Sequence, residues 1–263
     1  MTQALNTAGT GMVAQQSNLD VIANNLANVN TTGFKTQRAE FQDLMYQTVG
    51  TAGVSASGSS ASPASQQVGL GASFTGTDTN FGEGSMNSTG NPLDVAINGN
   101  GFFRVLMPNG VFGYTRDGSF KVDSQGQLVS SDGYPVDPAI SIPTDATSYS
   151  VSSSGVVSIT QPKSSDSIAL DPPINVATFP NPGAMERIGQ NLYSSNKAAG
   201  AEQIGKPGEN GSGTLSAGYL EGSNVQVVQE MVNMIMAQRA YEINSKAIQT
   251  SDQMLSTASN LVR

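Results

Sequence analysis

The sequence predicts an α+β chain in which long N- and C-terminal helices pair as a coiled-coil-like domain and an antiparallel β domain is inserted between them. Three observations carry this expectation. Apolar residues alternate at spacings of 3 and 4 near the N-terminus, and they recur at every seventh position near the C-terminus. Between these ends, short apolar runs alternate with turn dipeptides.

The N-terminal element rests on Leu5, Ala8, Met12, Gln15, Leu19, Ile22, Leu26 and Val29, a heptad seam with one polar break at Gln15. Gly9 and Gly11 weaken its first turns, and Gly33 is placed to end it as a left-handed C′ residue. Its outer face, "NNLANVN", is asparagine-rich and uncharged where an ordinary surface helix carries Lys and Glu. Asn24, Asn25 and Asn28 are therefore expected in inter-helix or inter-subunit contacts.

The C-terminal element begins after Gly222, with Ser223 as candidate N-cap and Gln226 as its capping-box partner. Val227, Met234, Tyr241, Ile248, Leu255 and Val262 form the heptad, broadened by Met236, Ala240, Ile243, Ala247, Met254 and Leu261. About 40 helical residues extend about 60 Å at 1.5 Å per residue. A compact chain of this length is about 45–50 Å across, so the helix should protrude and bury its stripe on the N-terminal seam. The alternative is a kinked helix packed on a sheet.

The middle is different material. Thr51 to Gln67, "TAGVSASGSSASPASQQ", has no charge and hardly a large side chain, and alone it should be flexible. Strand-like runs follow from Asn91 onward, punctuated by Asn98-Gly99, Asn109-Gly110, Asp117-Gly118 and Asp132-Gly133. The expected division is 1–33 and 222–263 for the helices, 34–91 and 183–221 for connectors, and 92–182 for the β domain. The first connector would carry a low-complexity insertion at about 46–67.

Composition excludes several functions. The 263 residues are 12% charged, with a net charge of −8 and a pI near 4.4, which speaks against nucleic acid and anionic membrane as partners. Cys, His and Trp are absent, so disulfides, Cys–His and Ser–His–Asp catalysis are ruled out and zinc is disfavoured. No secretory signal or membrane-spanning run is visible, so the expectation is a cytoplasmic chain or one exported with its N-terminus uncleaved. Asp94, Asp117, Asp123, Asp132 and Asp137 offer a formal glycosidase pair or Ca²⁺ site, but most sit at turns that Asp itself stabilises. No cofactor is expected.

Long motifs then carry a resemblance. "LDVIANNLANVNTTGFK", "DVAINGNGFFRV", "YTRDGSF", "IGQNLY" and "LEGSNVQVVQEMVNMIMAQRAYEINSKAIQTSDQML" together resemble the bacterial flagellar rod and hook axial proteins. Length and the run "AQRAYEINSKAIQTSDQML" look most like the distal-rod members. The resemblance implies terminal helices that stack with copies of themselves into a tube, a β domain outside them, and export through the flagellar type III apparatus. It implies as partners the chain itself, proximal rod subunits, hook or hook-junction subunits, and the P- and L-ring proteins, with no membrane insertion. It also implies that the insertion at about 46–67 stiffens the rod. The assembly interface expected from these readings comprises Leu5, Met12, Leu19, Ile22, Leu26, Val29, Met234, Tyr241, Ile248 and Leu255, with Asn24, Asn25, Asn28, Gly33 and Phe34 as signature contacts. The alternatives are a hook or proximal-rod subunit, or a secreted β-domain carbohydrate-active protein with a helical stalk.

Overall fold

The structure is a computed structural model that describes residues 2–50, 65–143, 145–146, 148–161 and 167–261. Most of the Thr51–Gln67 stretch lies outside the described residues, as does Val262. Two compact units emerge: a helical unit of residues 1–27, 37–78 and 226–263, and a β unit of residues 28–36 and 79–225.

In the helical unit, α1 (Thr2–Ala27) and α2 (Val227–Leu261) lie side by side. At 26 and 35 residues they are about 39 and 52 Å long. They run antiparallel: Gly11 faces Asn244, while Asn25, fourteen residues further along α1, faces Glu230, fourteen residues back along α2. A Cβ at Gly11 would sit 3.0 Å from the Asn244 amide, so the glycine that weakens the helix also lets its neighbour approach. Strand Gln37–Asp43 pairs with Ala72–Thr79, and Tyr46–Gly50 pairs antiparallel with Gln66–Gly69, making a two-stranded ribbon. Gly71 brings that ribbon onto α1, where a Cβ would meet the Thr10 hydroxyl.

Both expected helix boundaries shift. α1 stops at Ala27, because the next residues fold into a turn closed by Thr31 N–H donating to the Asn28 carbonyl at 3.1 Å. Gly33 is left-handed, with φ +69, but it lies beyond that turn and serves the β unit instead of capping α1. Ser223 is not the N-cap of α2. Its hydroxyl accepts from Val225 N–H, and the Gln226 carbonyl takes the first helical bond, from Glu230 N–H.

The β unit centres on a six-stranded antiparallel sheet ordered Glu186–Gly189, Leu192–Ser194, Phe112–Thr115, Phe102–Leu106, Val176–Thr178, Gln203–Gly205. Successive side chains leave a strand on opposite faces, and here both faces are buried. Phe103, Val105, Val176 and Leu192 enter the larger core with Val157, Ile159, Ile174 and Leu215, whereas Phe102, Tyr114, Ala177 and Tyr193 enter a second, aromatic cluster with Phe179. Three of the six strands lie at 186–205, in the stretch expected as a returning connector, and Thr214–Ala217 there pairs with Val95–Asn98. The turn signals divide. Asn109-Gly110 closes a hairpin between paired strands, but Asn98-Gly99 joins strands of different sheets. There Gly99 passes so close to Gly213 that a Cβ would fall 2.7 Å from its Cα.

Candidate assembly interface

On α1 the expected seam is turned inward. Ile22 is 4% exposed and Leu5, Met12, Leu19 and Leu26 are half-buried, while Ala14, outside the seam, is buried as well. Val29 lies past the helix end, half-buried in the β unit. On α2 the inward positions are Ala237 and Ser251, flanked by half-buried Met234, Asn244, Ile248 and Leu255. Tyr241 is not brought into this face and is 40% exposed. Met236, Ile243 and Met254, expected to broaden the stripe, are also exposed. The reason is a second heptad column, Glu230, Ala237, Asn244, Ser251 and Ala258, whose small and polar side chains occupy the side facing α1. This leaves α2 with large apolar residues on two sides.

The asparagines do different things. Asn25 is 1% exposed, and its amide donates to the Gln37 carbonyl at 2.8 Å while its Oδ1 accepts from Gln37 N–H at 2.9 Å. The side chain thus pairs with a peptide group as a neighbouring strand would, and only an amide offers both a donor and an acceptor for this. Its Nδ2 also reaches Glu230 of α2 at 3.5 Å. Asn28 Oδ1 accepts from Thr31 Oγ1 at 3.2 Å, closing the turn after α1, and Asn24 faces outward.

Gly33 and Phe34 belong to the β unit, where a buried charge cluster lies beside them. The Glu221 carboxylate, wholly buried, accepts from Lys35 Nζ at 2.6 Å, from an Arg116 guanidinium nitrogen at 3.2 Å and from Gly84 N–H at 3.0 Å. Lys35 is also wholly buried and donates to the Gly82 carbonyl, and Arg116 donates to the Gly99 carbonyl. Burial pulls the Lys35 ammonium below its ordinary value, opposed by Glu221. The Glu221 backbone carbonyl accepts from Gly33 N–H at 2.8 Å, and a Cβ on Gly33 would lie 2.8 Å from Asp117 N. Phe34 is buried with the Arg187 guanidinium 5.0 Å over its ring, and Asn224 ties the 34–36, 80–82 and 221–225 segments through bonds to Thr36, Asn80 and Gly82.

Heptad reasoning does not find Lys35, Arg116, Glu221 or Asn224. The available signal for the first three is their charge: in a charge-poor chain, Lys35 ends the first motif, Arg116 sits inside "YTRDGSF", and Glu221 is the second residue of the "LEGSN" block, whereas Asn224 carries no such mark. Of the carboxylates weighed for catalysis, Asp94 accepts from Asn91, Asp117 from Ser119, Asp123 from Ser124, and Asp137 pairs with Arg104. Among the described residues no group of three His, Cys, Asp or Glu could hold a metal ion, and no helix is long and apolar enough to cross a membrane.

Comparison with known proteins agrees along the chain. The family described as Flagella basal body rod protein matches residues 5–35, Flagellar hook protein FlgE/F/G D1 domain matches residues 96–159, and Flagellar basal body rod FlgEFG protein C-terminal matches residues 216–261. The chain is 51% identical over 265 residues to the flagellar basal-body rod protein FlgG of Borreliella burgdorferi, covering 100% of both chains. It is 47% identical to that of Caulobacter vibrioides, covering 98% of this chain and 99% of the relative, and 46% identical to that of Buchnera aphidicola, covering 99% and 100%. The matched stretches contain α1 from Leu5 onward with its asparagines, the paired strands around Arg116, and Glu221 with the whole of α2. The chain therefore belongs to the bacterial flagellar rod and hook protein family.

Proposed function

We propose that this chain is a structural, self-assembling subunit of the flagellar basal-body distal rod. It polymerises into a helical tube that transmits torque to the hook and encloses the export channel. The observation that carries this reading is the second apolar face of α2. Val228, Val232 and Ile235 are 76, 45 and 50% exposed on the side of the helix opposite Ala237 and Ser251, and Met236 and Ile243, 65 and 68% exposed, continue that apolar surface along one flank. A contiguous apolar patch of this kind marks an interaction surface. In a helical polymer each subunit meets copies of itself through heterologous, non-closing contacts, and such contacts need two different faces.

On this reading the inner seam of Leu5, Met12, Leu19, Ile22 and Leu26 against Met234, Ile248 and Leu255 is a coiled-coil-like pairing within one subunit, and the outer face of α2 docks the next copy. The exposed residues Phe41, Met45, Tyr46, Val49 and Phe74, on or between the paired strands, offer a further apolar contact surface in the same unit. The neighbours are proximal rod subunits at one end and hook or hook-junction subunits at the other, with P- and L-ring proteins around the rod where it crosses the periplasm. The chain is exported there without a cleaved signal peptide and performs no catalysis.

The test is Ile243→Asp in the full chain. Its circular dichroism should match wild type, whereas electron microscopy of purified basal bodies should find no rods incorporating it. Normal rods built from this variant would refute the interface. Label found at the hook or the proximal rod in place of the distal rod would reassign the position.

A further inference from the structure

We propose that Glu221 is a closing pin for the β unit: Lys35 and Arg116 hold that unit open until the late-arriving Glu221 carboxylate seats between them. The unit is assembled from two separate pieces of chain, 28–36 and 79–225. Lys35 comes from the first piece, Arg116 from the middle of the second, and Glu221 from its end. The side chains of Lys35, Arg116 and Glu221 are 0, 2 and 0% exposed.

A buried cation with no counter-charge is costly, and two brought together repel as well. Among the described residues, Glu221 is the only carboxylate within ion-pair distance of either cation. Glu83 lies nearby, but its Oε1 accepts from Gly99 N–H. Closing residues 33–36 against 80–84 therefore buries two cations with no paired carboxylate and only Glu83 near Lys35 if residue 221 is absent, and a hydrogen-bonded cluster in which one carboxylate bridges both cations if it is present. Removing one partner of such a cluster is far more disruptive than replacing the whole by apolar groups.

The consequence concerns order. A chain emerges N-terminus first from the ribosome, so Lys35 and Arg116 are available long before Glu221. The β-unit core could begin to pack, but the 33–36 segment would not lock until the last strand arrives. If the chain is exported as proposed above, this delay keeps its leading part threadable, and the inference rests on that reading for this consequence alone.

Hydrogen exchange in the full-length monomer tests the pin without any assembly. The reporter is Asn80 N–H, which donates to the Thr36 carbonyl at 2.9 Å and makes no bond to Glu221. Glu221→Ala should speed its exchange about 100-fold by raising the open population. Acetate should restore protection by about 10-fold or more, because it returns a carboxylate to the vacated space, while acetamide of the same size should not. Unchanged exchange in Glu221→Ala would overturn the pin. So would equal rescue by acetamide, which would mean packing alone, or no rescue by either. Pulse-labelled refolding of the wild type tests the order: Asn80 N–H should gain protection in the same phase as Gly222 N–H, which donates to the Ser85 carbonyl. Earlier protection of Asn80 overturns the gating. All these readouts are independent of rod formation, so their failure would leave the assembly reading standing, and loss of rods in Ile243→Asp would leave the pin standing.

Discussion

At the scale of the residue, Asn25 answers why an uncharged, asparagine-rich helix face is useful. Its amide completes the hydrogen bonding of Gln37, the first residue of the ribbon. Asn25→Asp keeps the size but loses the donor, and it places a second carboxylate beside Glu230. A loss of about 1–3 kcal/mol, the cost of leaving a buried polar group unsatisfied, should appear in urea unfolding of the helical unit. Asn25→Ala should fall in the same range. Gly33→Ala combines a left-handed backbone with a clash against Asp117, so destabilisation by about 1–3 kcal/mol should register in the β unit. Tyr114 gives a pH signature. Burial, and then the hydrogen bond it donates to Glu202 at 2.5 Å, push its phenol up to about 12 from 10.0. The unfolded chain releases that proton near pH 10.0 while the fold holds it to about 12, so stability falls as pH rises through that window. Comparing alkaline unfolding of wild type with Tyr114→Phe should show a smaller drop in the variant, in which the buried Tyr193, also pushed up by burial, still titrates. None of these roles is readable from local sequence. The partners Gln37, Asp117 and Glu202 become neighbours only through the fold, although the unusual polarity around Asn25 does flag the region.

At the scale of the element, the helices were legible and their edges were not. A 3-and-4 spacing sustained over many turns specifies a buried stripe, and Ile22 is where it is deepest. The left-handed Gly33 and the Ser223/Gln226 pair mimic helix ends, but Gly33 N–H is recruited by a tertiary bond to Glu221, the Ser223 hydroxyl closes a local turn with Val225, and it is the Gln226 carbonyl that opens α2. Period-seven counting on α2 also picked large apolar residues, whereas close helix packing selected Ala237, Asn244 and Ser251. This separates two variants. Ile22→Asp buries a charge between α1 and α2, so helicity itself should fall. Ile243→Asp should leave the monomer's helicity intact and affect only association. Far-ultraviolet circular dichroism paired with a sedimentation assay distinguishes them. The strands at 186–205 were missed because runs of three or four residues between turns show no alternation; their pairing comes from the rest of the sheet.

At the scale of the whole molecule, the two units differ in how much apolar surface they bury. Among the described residues, the buried apolar side chains of the helical unit are Ala14, Ile22 and Ala237, while the β unit has both clusters around its six-stranded sheet. Long helices with so thin a core are marginal in water. Calorimetry of the monomer should therefore show two transitions, with helical signal lost first and the sheet persisting to higher temperature. A single coincident transition would contradict this. Architecture at this level was readable, since α+β with terminal helices follows from periodicity, whereas the ribbon's membership of the helical unit depends on Gly71 meeting Thr10 and on Asn25 holding Gln37.

The bond from Asn80 N–H to the Thr36 carbonyl has one more implication. The chain leaves the β unit after Thr36 and returns at Thr79, so the long excursion begins and ends at hydrogen-bonded neighbours. A change of length within residues 37–78 therefore leaves the bond that closes their point of departure from the β unit in place.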